Sequence, residues 1–194
     1  MNTRTRSTTR TFYASRRSLR SQRGWAMMEI GLGLIVIGLI SLGAFLLFSD
    51  SQRSVELEQN TQAITRTVAN LQSKFGKTNT YGSVSTAIAV QSEAIPKILR
   101  RGSAATAENS YGGSITVAAA KCINDDDCAT LSWASVPKAQ CFDLVVGASR
   151  AVRKVVVGST TVKALDAALD IETLGTTCDG AASHTIAFTI GRGA

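Results

Sequence analysis

Glu29 stands immediately before residues 30–48, a run with no charge and a single hydroxyl, Ser41. As a helix rising about 1.5 Å per residue, that run matches the hydrocarbon thickness of a bilayer. A carboxylate in a membrane segment costs about 2.5–3.5 kcal/mol on insertion scales, so by default it marks a function and a partner. The other residue types that could do chemistry are sparse. Cys122, Cys128, Cys141 and Cys178 lack the C-x-x-C spacing of a zinc or redox site, and four cysteines allow three pairings. His184 is the only histidine and has no second ligand at metal spacing, so it reads as a structural residue. Asn124-Asp125-Asp126-Asp127 lacks the glycine and distal glutamate of a calcium loop and reads as a solvated acidic turn. Gly31-Leu32-Gly33 has no third glycine for a phosphate loop, and Gly147 to Ala151 lacks the second glycine of a hydrolase elbow. The expectation is no enzyme, no metal and no cofactor.

The formal charge of +7 would ordinarily point to nucleic acid or an anionic surface. Its distribution argues otherwise. Residues 1–24 carry seven arginines (Arg4, Arg6, Arg10, Arg16, Arg17, Arg20 and Arg23) and no acid, which leaves 14 basic against 14 acidic residues in 25–194. No nucleic-acid partner is expected for the domain beyond the leader. Arginines ahead of an apolar helix place the N-terminus in the cytoplasm and the C-terminal domain outside it. All four cysteines lie in that exported part, which fits an oxidising compartment. Ser15-Arg16-Arg17-Ser18-Leu19 resembles a twin-arginine export signal, but 30–48 is strongly apolar and no A-x-A site follows it closely.

The elements that must position these residues follow from periodicity. One helix is expected from Trp25 to about Phe75, since no proline interrupts it. Gly31, Gly33, Gly38 and Gly43 are ordinary in a membrane helix and would also permit close helix packing. Past Asp50 the pattern turns amphipathic, with Leu57, Ile64, Val68, Leu71 and Phe75 on a core stripe and Gly76 as C-cap. Residues 77–83 read as a polar loop, and 83–100 as a short helix broken near Pro96. Tyr111-Gly112-Gly113 reads as a turn. Strands are expected at 114–118, 130–133, 152–157, 160–162 and 184–190. Pro137 opens a helix to about Ala148, and Ala164 to Ile171 suits another. Loops 101–113, 123–129 and 172–183 are expected at the surface. The sum is α+β: a long N-terminal helix packed on an antiparallel β-sheet with additional short helices.

The basic leader, Gly24, the apolar Trp25-Ala26-Met27-Met28, Glu29 five positions after the glycine, and then the apolar helix resemble a type IV prepilin. The 24-residue leader, the non-Phe residue after the glycine and the remaining length resemble the type IVb branch, and within it PilS-type major pilins. That resemblance implies residues 1–24 as a cleaved leader, 25–50 as the transmembrane and polymerisation helix, and 51–194 as the amphipathic half-helix plus globular domain. It implies a cut by prepilin peptidase between Gly24 and Trp25, methylation of the new Trp25 amine, and an assembly role for Glu29 facing a neighbour's amine. It also implies Cys141–Cys178 as the staple of the C-terminal third, leaving Cys122–Cys128. The partners implied are further copies in a pilus filament, an inner-membrane platform and a cytoplasmic assembly ATPase. The chain would sit as a single pass in the inner membrane before assembly and in the extracellular pilus after it, serving adhesion, aggregation or conjugative mating contact. The alternatives are a minor pilin or pseudopilin, or a non-polymerising single-span membrane protein with a periplasmic binding domain.

Overall fold

The computed structural model describes residues 23–77, 81–102 and 105–191, except for the side chains of 23–27 and 44–51. The leader through residue 22 therefore lies outside the described residues. The chain divides into two units, Met1–Phe48 and Ser49–Ala194. Helix α1, Arg23–Leu71, contributes to both.

In the first unit the described side chains of α1 are exposed on every face, with Ile30, Leu34, Ile37 and Ile40 each more than half accessible. No described atom lies within 4 Å of where a Cβ would stand on Gly31, Gly33, Gly38 or Gly43. Ser41 Oγ donates to Ile37 O at 2.8 Å, the usual way for a helix to hide a hydroxyl in apolar surroundings. Among the described residues no helix is long and apolar enough to cross a membrane. Side chains are described only over 28–43 of the expected 30–48 span.

In the second unit α1 becomes one wall of a core. Ile64, Val68 and Leu71 are buried, and Leu57 and Phe75 pack against them, as the stripe predicts. The helix ends differently from expectation. Gln72–Gly76 winds as a looser π turn, and Lys77 follows in right-handed helical geometry rather than after a left-handed glycine cap. Gly76 is required for another reason: a Cβ there would lie 2.8 Å from the Tyr81 hydroxyl. The expected polar loop at 77–83 thus contains a fully buried tyrosine, in a short 3-10 turn, Tyr81–Ser83. Helix α2, Thr86–Gln91, follows, with Ser85 Oγ accepting from Ile88 N as its N-cap.

Six strands form one antiparallel sheet: β1 (Ala107–Glu108), β2 (Ser114–Ala120), β3 (Cys128–Pro137), β4 (Lys154–Val157), β5 (Thr160–Lys163) and β6 (Ser183–Gly191), in the order β1-β2-β3-β6-β4-β5. Period-two alternation sends Ile115 and Val117, Leu131 and Trp133, Ile186 and Phe188, and Val155 and Val157 into the core. Register sets Trp133 opposite Ile186 and Leu131 opposite Phe188, so neighbouring strands stack large side chains on one face. The pairing of β3 slips between Trp133 and Val136, where Ser135 adopts φ +58°.

Helix α3, Lys138–Ala148, starts after Pro137 and buries Cys141, Leu144, Val145 and Ala148, the spacing expected. Lys163 Nζ donates to Ser149 O and Val152 O, both at 2.6 Å, satisfying carbonyls just past the end of α3. The helix expected at 164–171 is absent from its place. Residues 164–170 make turns and a bridge to β5, and helix α4 runs Ile171–Asp179, starting at the last residue of the expected helix and otherwise lying in the stretch read as loop 172–183. Asp170 decides the boundary: it is extended, and its Oδ1 accepts from Thr173 N at 3.0 Å.

Candidate assembly surface

Glu29 is exposed on α1, and no hydrogen bond or ion pair of it occurs among the described residues. Helical spacing places Leu32, Gly33, Val36 and Ile37 on its face, lining an apolar hollow with Met28 and Glu29. Gly33 leaves a notch one turn beyond the carboxylate, with no described atom within 4 Å of where a Cβ would stand. For Gly24 and Trp25, only helical backbone is described.

The cysteines are joined as Cys122–Cys128 and Cys141–Cys178, with none free. The second bridge links α3 to the last turn of α4 and is buried. The first closes the β2–β3 connection, where Asp127 accepts from the N–H groups of Cys122 (2.7 Å), Ile123 (3.0 Å) and Asn124 (2.9 Å). This carboxylate caps the turn. Cys122, Asp127 and Cys128 lie close enough to suggest a metal site, but both sulfurs are spent on the disulfide and the third group on backbone donors.

A half-buried polar network, which nothing in the sequence pattern announces, binds α1 to the domain. Gln140 of α3 donates to Glu56 at 3.3 Å and accepts a short bond from the Tyr111 hydroxyl. Asn60 donates to Glu56 O at 2.9 Å and to Ser110 Oγ. Where α3 crosses α1, Gly147 admits Thr61, whose Cγ2 would lie 2.8 Å from a Cβ. Burial, reinforced by the Glu56 charge, raises the Tyr111 pKa well above its ordinary value. Four aspartates, three of them exposed and Asp127 partly buried, shift the other way. Asp127 is held down by the Asn124 N–H and its neighbours, Asp166 by Arg153, Asp170 by the Thr173 N–H, and Asp179 by Lys138.

The signs give a pH prediction. Lowered carboxyl pKa values stabilise the fold fully above the ordinary aspartate value of 3.8, and that contribution is lost as pH falls below it. A raised phenol pKa stabilises below its ordinary value of 10.0, and that contribution is lost as pH rises beyond it. Thermal melts of the purified protein are expected to show the midpoint falling at both edges. Asp166→Asn should flatten the acid limb and Tyr111→Phe the alkaline limb. Unchanged limbs would contradict these assignments.

The family described as PilS N terminal matches residues 53–191, well over half of the chain. The chain belongs to the PilS family of type IV pilins. No curated protein matches it. Among solved structures, the type IV b pilin from Salmonella typhi is 21% identical with TM-score 0.50, covering 72% of this chain and 99% of that one. TcpA, a type IV pilin from Vibrio cholerae El Tor biotype, is 13% identical with TM-score 0.51, covering 68% and 98%. At these identities the two structures speak for the fold. The PilS-family chain shares with them the mixed helical and antiparallel layout described above. As a pilin it is a structural subunit of pili.

Proposed function

We propose that this pilin is the major subunit of a type IVb pilus, cut by prepilin peptidase between Gly24 and Trp25 and polymerised through α1. The observation that carries the reading is the first unit. An apolar helix with nothing described packed on any face requires lipid or other helices around it. A carboxylate beside a glycine notch supplies what a neighbour's new N-terminus needs. The freed Trp25 α-amine, methylated or not, has a pKa near 8 and is mostly cationic at neutral pH. In an apolar fibre core the amine and Glu29 attract, and each offsets the other's desolvation. Register would come from that pair, and association from the helix faces. Drawing the helix from lipid takes work, so the partners are an inner-membrane platform and a cytoplasmic ATPase. The chain is an inner-membrane protein before assembly and part of an extracellular filament after it, acting in adhesion, aggregation or mating contact.

Intact-mass spectrometry of filaments sheared from cells tests this. A chain beginning at Trp25, heavier by one methyl group where the amine is modified, is the expected result. A full-length chain confined to the membrane would mean a simple anchor. Glu29→Ala is the companion prediction. Sheared filament should be lost while the disulfide-bonded subunit persists in the membrane at wild-type level. Normal piliation in that variant would leave Glu29 an interfacial carboxylate with no role in register.

A further inference from the structure

In the second unit, Asn60, Ala63 and Arg66 of α1 face Pro96, Ile98 and Arg101 across a groove of about 380 Å³. Ile98 is 83% exposed, the highest figure among the large apolar side chains described. Arg101 is held by Glu108 at 3.0 Å, while Arg66 has no ion pair among the described residues. The groove therefore offers an uncovered isoleucine beside an uncommitted guanidinium. The complementary chemistry lies elsewhere in the unit. Helix α4 opens on Asp170, Ile171 and Glu172, with Ile171 51% exposed. Glu172 has no ion pair among the described residues, and Asp170 adds a second negative charge. Both patches are solvent-accessible in a single copy, so neither satisfies the other within it.

We propose that the first turn of α4 in one copy docks into the α1–Ile98 groove of the next, with Ile171 against Ile98 and Glu172 on Arg66. The contact is heterologous, pairing two different surfaces, so it repeats along an open helical array instead of closing a dimer. Exposed apolar groups become covered at its centre, and the charge pair sets orientation. This inference rests on the pilin reading and names the surfaces that filament subunits would use outside the α1 core. Two other acidic patches compete: Asp126 near Ile123, 64% exposed in the β2–β3 connection, where Asp125 is paired with Lys121 at 2.8 Å, and Asp143 of α3 beside the exposed Val146. Cross-linking from residue 66 distinguishes the three, since only the α4 docking brings Glu172 to it.

Charge exchange in full-length chains tests the proposal. Arg66→Glu and Glu172→Arg should each remove most sheared filament, and the double variant should restore it. Membrane levels of disulfide-bonded subunit should stay normal throughout, which separates assembly from folding. As a second measurement, Arg66→Lys keeps the charge and adds a nucleophilic amine. Carbodiimide treatment of those filaments should couple residue 66 to Glu172 between subunits, identified by peptide mass. A coupling to Asp126 or Asp143, or piliation indifferent to both reversals, overturns the docking. Absence of filaments from the unaltered chain overturns the pilin reading first, and this inference with it.

Discussion

Gly113→Ala is expected to destabilise the domain by about 3 kcal/mol or more, since it combines overpacking with broken hydrogen bonds. A Cβ at Gly113 would lie 2.0 Å from Ala134 O, 2.5 Å from Ala134 C and 2.9 Å from Ser135 Cβ. Those atoms belong to the slipped stretch of β3 and cannot step aside without losing their partners. Asn109 ties the two segments together. Its Oδ1 accepts from Gly113 N at 2.8 Å and from Tyr111 N at 3.0 Å, while its Nδ2 donates to Ala134 O at 2.7 Å. The alanine methyl would have to occupy the space where Ala134 O receives that bond. For a protein of this size each kcal/mol moves the melting temperature by about 2–4 °C, so a fall of roughly 6–12 °C is expected. Gly112→Ala is the control. Gly112 has φ +75° with open space around it, so the change should cost about 1–2 kcal/mol of left-handed strain and no clash. Equal melting temperatures for the two variants would refute the close-approach account.

Replacing Cys141 and Cys178 by alanine is expected to cost about 4 kcal/mol, against about 2 kcal/mol for the same change at Cys122 and Cys128. The difference follows from the loops closed, whose sequence separations are 37 and 6. The longer cross-link removes more freedom from the unfolded chain. It also sits in the core and holds α4 to α3, so its loss opens apolar packing around Leu144 and Leu174. Against a typical total of 5–15 kcal/mol, the first change consumes a large share of the stability. Denaturant melts of both double variants give the comparison. A larger loss at Cys122 and Cys128 would show that the turn capped by Asp127, and not loop entropy, controls the domain.

The parts of this fold that sequence exposes are those with long repeated patterns. Leu57, Ile64, Val68 and Leu71 recur on one face of α1, and Ile186, Phe188 and Ile190 alternate in β6, so periodicity alone locates them. The Pro137 start of α3 is legible because proline suits a first helical turn. Helix α4 is not. Its sequence, Ile-Glu-Thr-Leu-Gly-Thr-Thr-Cys-Asp, is rich in threonine and contains a glycine, so propensity favours the apolar 164–171 instead. The decisive signal is Asp170 with Thr173 three residues on, a cap that outweighs composition. Gly76 shows the opposite error, since a glycine at a helix end suggests a cap when the Tyr81 hydroxyl is what excludes a side chain. Of the candidate residues, Glu29 stands out in the sequence by its place before an apolar run, and its role in assembly is a proposal. The Glu56–Gln140–Tyr111 network does not stand out, because its members lie on three segments that only the fold brings together. The groove at Ile98 was hidden for the same reason.

Strand β6 lies between β3 and β4, yet it is made after every other strand in the sheet. During synthesis the domain cannot close by adding strands in sequence. β3 must wait with one flank open, and the pair β4–β5 has nothing to join until β6 arrives. The chain therefore passes through an interval in which two strand flanks are available to any neighbouring chain. The step that completes the sheet is the insertion of β6 between β3 and β4.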